Sequence, residues 1–131
     1  MPDVMTTPVR MTSAEFRVAR ETLGLTTSWL ATQFGVDERT VRRWDTGENP
    51  VPDARAALML HLIEFTDDFI TQVIDGLDCD GDSVVVVYRE DEDLHRMWPA
   101  VPYPASWHRA AMGRVAAQTG IRLKYLEEPY E

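Results

Sequence analysis

Thr26-Thr27-Ser28-Trp29-Leu30-Ala31-Thr32-Gln33-Phe34-Gly35-Val36-Asp37-Glu38-Arg39-Thr40-Val41-Arg42-Arg43-Trp44-Asp45-Thr46-Gly47 is the stretch whose reading decides the fold. Thr26 or Thr27 suits the cap of a short helix running to about Phe34, because a hydroxyl can accept from the unpaired amides of a first turn. Leu30, Ala31 and Phe34 give that helix an inward face, and small Ala31 lets a neighbour approach. Gly35 permits the left-handed backbone of a tight turn. Asp37 suits the cap of the next helix, Glu38 to about Thr46, with Val36 and Val41 spaced as a hydrophobic staple. Val41 and Trp44 would bury its inner face, and Gly47 stops it.

The outer face of that second helix then carries Arg39, Thr40, Arg42 and Arg43. Arg39 lies three residues before Arg42 and four before Arg43, so all three share one broad face. Arginine is the side chain best shaped to give guanine O6 and N7 two parallel hydrogen bonds, and Glu38 could accept from a cytosine amino group. Thr27 and Thr46 are placed to touch flanking phosphates. The competing reading is a solvated face, with Arg42 or Arg43 paired to Glu38 or Asp45.

Outward from this stretch, residues 1–11 read as a leader with little periodicity. Thr12 or Ser13 can cap a helix to about Leu23, with Phe16, Ala19 and Leu23 on one stripe and Gly24 at its end. Glu48 to Asp53 is a loop by composition. A long helical pattern follows to about Ile74, with Ala54, Leu58, Leu62, Phe65, Phe69, Val73 and Ile74 as its stripe and a potential break at Thr66. Asp75 to Asp82 is a turn-rich acidic linker. Ser83–Arg89, with four consecutive valines, reads as a strand buried on both sides. Glu90–Asp93 reads as an exposed acidic segment, and the prolines at 99, 102 and 104 interrupt regular structure. Ser106 would cap a helix from Trp107 to about Gln118, closed by Gly120. Ile121, Leu123 and Tyr125 alternate with Arg122 and Lys124, which predicts a second strand with one wet face.

The bulk figures constrain the class. The chain has 131 residues and 44% hydrophobic content, enough for a packed core. No apolar run approaches the ~18 residues of a membrane span, and the start lacks the pattern of a signal peptide. The sole cysteine, Cys79, has no partner for an internal disulfide. A cytoplasmic setting is therefore expected. The net charge of −9 argues at first against nucleic acid. Its distribution weakens that objection. Residues 1–60 hold seven Arg against eight acidic residues, and residues 61–131 hold six basic against fourteen acidic. A nucleic-acid-binding face needs local positive potential rather than a basic whole protein.

The segment from Leu25 to Gly47 resembles the Cro/C1-type helix-turn-helix family, in its Thr, Leu-Ala, turn glycine with an aliphatic residue, acidic residue and closing glycine. Trp29 stands where that family usually has a polar residue. The resemblance implies DNA contacts from the positions of Thr27, Glu38, Arg39 and Arg43. Trp44-Asp45-Thr46-Gly47 followed by Val51-Pro52-Asp53 is similar to a signature of YdiL-like and anti-CRISPR-associated regulators. Those proteins continue with a strand, a Trp-bearing helix and a final strand, an order matched by Val84–Tyr88, Ser106-Trp107 and Ile121–Tyr125. This resemblance implies a homodimer that represses its own operon, an anti-CRISPR operon in some members.

The remaining chemistry-bearing residues suggest no enzyme, metal or cofactor. Asp78-Cys79-Asp80-Gly81-Asp82 fails the calcium-loop pattern, which needs glycine at position 6 and glutamate at position 12. His61, His95 and His108 lack zinc-like spacing and read as surface or helix-flank residues. Ser106 and His108 lie close in sequence without a nucleophile motif.

The expected fold is mainly α with a small α+β C-terminal part. A lambda-repressor-like bundle over residues 12–66 precedes a strand-helix-strand pairing region over residues 67–131. Val85, Val87, Trp98, Tyr103, Trp107 and Leu123 are the expected dimer interface, since aromatic residues are enriched in such surfaces. The expected function is a repressor that binds inverted-repeat double-stranded DNA as a homodimer. The alternative is an antitoxin that represses the operon of its toxin pair. A role for RNA or a protein partner stays open, and so does an interaction module without nucleic acid.

Overall fold

Six helices and two strands form among the described residues of the computed structural model, which are residues 9–77 and 83–129. They are α1 (Ser13–Thr22), α2 (Thr27–Phe34), α3 (Glu38–Thr46), α4 (Asp53–Asp75), β1 (Val84–Val87), α5 (Asp91–Met97), α6 (Ala105–Thr119) and β2 (Arg122–Tyr125). The chain is mainly helical, with one small parallel sheet. The described residues divide into two compact units. The first holds residues up to Glu21 together with Thr26–Glu64; the second holds Thr22–Leu25 and the residues from Phe65 onward. Asp78–Asp82 of the expected acidic linker, with Cys79, lie outside the described residues, as do residues 1–8 of the leader.

In the first unit, the helix ends follow local chemistry. Thr12 and Glu15 form a reciprocal cap on α1: the Thr12 amide donates to Glu15 Oε1 at 2.8 Å, and the Glu15 amide donates to Thr12 Oγ1 at 3.0 Å. Thr26 Oγ1 accepts from the Trp29 amide at 3.0 Å, which makes Thr26 rather than Thr27 the cap of α2. Asp37 Oδ1 accepts from the Thr40 amide at 2.8 Å and starts α3. Gly35 adopts φ +67°, so the Val36 amide turns back to the Ala31 carbonyl at 3.0 Å. That bond and the one from Gly35 to Thr32 satisfy the last carbonyls of α2. Phe16, Leu30, Phe34, Val41 and Trp44 are buried. Trp44 meets Phe16 edge-on, with ring centroids 6.0 Å apart, and lies tilted against Phe34 at 6.3 Å.

In the second unit, β1 and β2 pair in parallel, with Val84 opposite Arg122 and Val87 opposite Tyr125. Parallel neighbours need a crossover, supplied here by α5 and α6. Ile70, Val87, Ala111, Met112 and Val115 form the main core, with Phe69, Val73 and Tyr125 packed against it. A smaller cluster joins Tyr88, Leu94 and Ala105. The Arg89 guanidinium lies 3.8 Å from the Tyr125 ring centroid, and Arg89 also pairs with Glu127.

Several sequence expectations are corrected. α4 runs unbroken through Thr66, which is buried inside the helix and accepts a hydrogen bond from the Trp107 indole at 2.9 Å. Its hydroxyl is therefore committed to the core rather than to a cap. The buried positions of α4 are Ala56, Met59, Thr66 and Ile70. Ala54, Leu58 and Phe65 of the expected stripe are exposed. The burial of Ala56 and of a threonine paired to an indole is invisible to a count of large apolar residues.

Glu90, Asp91 and Glu92 are exposed, as expected, and Asp93 is half-buried, but the segment also opens a helix. Asp91, Glu92 and Asp93 form the first turn of α5, where the helix dipole favours negative charge. Of the stretch Ser83–Arg89 expected to be a strand buried on both sides, Val87 and Tyr88 are buried; the other three residues of β1 are half-buried in a two-stranded sheet. β2 is exposed at Arg122 and Leu123 and half-buried at Lys124 and Tyr125, so its expected alternation fails at Leu123. Ser106 is not the cap of α6. Its hydroxyl donates to the Gly24 carbonyl at 2.6 Å, and Asp91 Oδ1 accepts from the Ala105 amide at 2.7 Å instead. His108 is buried, not on a surface.

Candidate nucleic-acid interface

The face of interest is the outward side of α3, in the first unit. α3 turns one face inward because Val41 and Trp44, three residues apart, are buried at 0% and 5% exposure. A 3.6-residue period then sends Arg39 and Arg42 outward. Arg39 is exposed, and it makes no hydrogen bond or ion pair among the described residues. The Arg42 side chain is 62% exposed and pairs with Glu38 at 2.8 Å. Arg43 is 41% exposed and lies 3.8 Å from Glu48. The solvated-face expectation thus holds for Arg42 with Glu38 but not for a partner at Asp45.

Asp45 is engaged elsewhere. Arg20 on α1 grips its carboxylate through Nε at 3.2 Å to each oxygen and Nη2 at 2.8 Å to Oδ2. The two side chains are only 14% and 7% exposed. This pair ties α1 to α3 and withdraws one negative charge from the arginine face. Its partners are 25 residues apart, so no local spacing announces it. Arg55, the other unforeseen contributor, lies over the Phe34 ring at 5.6 Å.

Glu38 links the two short helices. Its Oε2 accepts from Thr27 Oγ1 at 2.9 Å while its Oε1 faces Arg42. Both oxygens thus have partners within the chain, and Thr27 stands at the junction of α2 and α3. Thr40 Oγ1 donates to Asp37 Oδ1 at 2.8 Å, making Thr40 part of the α3 cap. The two hydrogen bonds from Thr40, side chain first and backbone second, hold the Asp37 carboxyl below its usual value. Thr46 is exposed; its hydroxyl donates to the Arg43 carbonyl and accepts from the Glu48 amide, both at 3.4 Å. Trp29 is half-buried.

The chemical capacity of this face is anion and base-edge recognition. Three guanidinium groups stand on one short helix, and the carboxylates that touch two of them form exposed pairs. Exposed pairs of this kind contribute only ~0–1 kcal/mol, so they hold the guanidinium groups weakly and an anion would displace them at small cost.

The expected pairing residues separate into two groups, all in the second unit. Val87 and Trp107 are 7% and 1% exposed and belong to the interior, so they cannot form a surface of the folded chain. The Trp107 ring packs tilted against Tyr103, with centroids 4.5 Å apart, and against Phe69 at 5.0 Å. Trp98 at 55% and Leu123 at 37% are exposed, while Val85 and Tyr103 are half-buried. Among the described residues, no group of three or more His, Cys, Asp and Glu is placed to hold a metal, and no helix is long and apolar enough to cross a membrane.

No protein-family model matches this chain, and no curated protein matches it.

Proposed function

We propose that this chain is a sequence-specific DNA-binding repressor in which α2 and α3 act as a helix-turn-helix and α3 enters the major groove. The observation that carries the proposal is the division of α3: Val41 and Trp44 are buried while Arg39 and Arg42 face solvent. The left-handed Gly35 between α2 and α3 supports it, as does the resemblance of Leu25–Gly47 to the Cro/C1-type family. Arg39 and Arg42 read bases, Arg43 and Thr46 bind backbone phosphate, and Glu38 holds Thr27 and Arg42 in register.

One short helix supplies too few base contacts for a selective regulator, so the active species is a homodimer. Two such helices about 34 Å apart read an inverted repeat on one side of B-DNA. The second unit provides the pairing surface, with exposed Trp98 and Leu123 as its candidates. Repression follows from occupying a promoter, and the operon controlled is the chain's own, of the kind that anti-CRISPR-associated regulators repress.

A mobility-shift titration with the DNA upstream of the gene tests this reading. The expected result is a discrete complex at low salt that weakens as salt rises, since phosphate contacts release counterions. Absence of a shift on every inverted repeat of that region would overturn it.

A further inference from the structure

The second unit contains a cavity of about 360 Å³ that the DNA-binding reading does not use. Its volume falls within the range of small-molecule sites, ~300–1,000 Å³. Phe69 and Val73 on α4, Val85 and Val86 on β1, and Met112 on α6 supply apolar walls. Trp98 and Val101 complete the lining from the segment between α5 and α6. An apolar cavity of this size gains free energy by exchanging contact with water for contact with an apolar guest.

Three groups in the lining break the apolar pattern: Gln72 on α4, Tyr88 and His108. His108 is 5% exposed, and its Nδ1 is enclosed without a hydrogen-bond partner. Phe69 and Tyr88 flank its ring, with centroids 6.4 and 5.4 Å away. Burial, with a smaller contribution from the Arg109 charge, lowers its pKa to about 4. The ring is therefore neutral near pH 7 and offers one N–H donor and one acceptor nitrogen. Tyr88, also in the lining, has a hydroxyl that accepts from the Trp98 indole at 3.2 Å. The site is thus an apolar pocket with a few polar groups in its lining, the combination that orients a ligand as well as burying it.

We propose that this cavity is a binding site for a small, mainly apolar molecule carrying one hydroxyl group, which the ligand directs to the polar edge formed by His108 and Tyr88. A hydroxyl suits the site because it both donates and accepts, so it satisfies a neutral imidazole whichever nitrogen carries the proton. The proposal concerns the second unit alone and stands whether or not α3 binds DNA.

The test is an NMR titration of the full chain with p-cresol and, separately, with p-xylene, which replaces the hydroxyl by a methyl group of similar size. Saturable shifts are expected at the amides of Val85, Val101 and Met112. p-Cresol should bind roughly two- to twelve-fold tighter than p-xylene, the range expected for one net hydrogen bond. In His108→Phe, p-xylene should still bind while the advantage of p-cresol disappears. Val101→Phe should fill the cavity and weaken both probes. The comparison of the two probes on the unaltered chain needs neither variant to fold. Absence of saturation with both probes would overturn the proposal, and equal affinity would overturn the role of the polar edge.

Discussion

Replacing Arg20 by methionine should destabilise the first unit while leaving every arginine of α3 in place. Methionine keeps much of the length of the arginine stem but removes the three guanidinium contacts to Asp45, at 3.2, 3.2 and 2.8 Å. Asp45, 7% exposed, would then be a nearly buried carboxylate without its cation. Breaking a fully buried pair costs ~3–5 kcal/mol, chiefly through the charge left behind. Arg20 retains 14% exposure, so water can reach part of the site and about 3 kcal/mol is the expected loss. The double variant Arg20→Met with Asp45→Leu removes the stranded charge and should return to within ~1 kcal/mol of the original chain. Hydrogen exchange at the α1 and α3 amides reads this loss within the first unit. If Arg20→Met changes their protection by less than ~1 kcal/mol, the pair is not holding α1 to α3 and the reasoning fails.

Gly24 and Gly35 have nearly the same backbone, φ +69° and +67°, but different surroundings. A Cβ at Gly24 would lie 2.3 Å from the Ser106 carbonyl oxygen, whereas at Gly35 nothing lies within 4 Å. Gly35→Ala should therefore cost only the backbone strain of ~1–2 kcal/mol, and Gly24→Ala clearly more, as measured by thermal unfolding; equal losses would contradict the close approach at Gly24. His108 predicts an acid-sensitive second unit. Its pKa is about 4 in the folded chain against 6.5 as the ordinary value, so between these values the unfolded chain binds a proton that the folded chain excludes. Stability should fall on acidification through that window, by on the order of 1 kcal/mol per pH unit at most. In His108→Phe the fall should be shallower in denaturant titrations; an unchanged slope would refute this role. Trp98→Ala should weaken self-association in sedimentation without loss of folding, and an unchanged association state would remove Trp98 from the pairing surface.

The legible parts of this chain are those governed by neighbours in sequence. Thr12, Thr26 and Asp37 cap helices because their side chains reach amides three residues on. Gly35, Gly47 and Gly120 end helices because their backbones are left-handed. The inward pair Val41 and Trp44 follows from helical period alone. Longer-range features escaped that reasoning. The Arg20–Asp45 clamp, the Thr66–Trp107 bond and the cap of Ala105 by Asp91 join residues 25, 41 and 14 positions apart. Trp107 reads as an interface residue because aromatic residues are enriched in such surfaces, yet three neighbouring rings and a hydrogen bond to Thr66 hold it inside. α5 was hidden because its acidic first turn resembles a loop by composition. Of the expected site, the arginine face was readable from spacing, while the commitment of Glu38 to both Thr27 and Arg42 was not.

The most direct measurement of the central claim is selection of the bound DNA from random sequence by the full chain, repeated with Arg39→Ala. Arg39 is the suitable probe because it is exposed and makes no ion pair among the described residues. The account predicts an enriched inverted repeat for the unaltered chain. It predicts that Arg39→Ala loses about 1–3 kcal/mol on that site and relaxes preference at one position of each half. Recovery of no consensus, or an equal loss for Arg39→Ala on selected and scrambled DNA, would contradict base reading by α3.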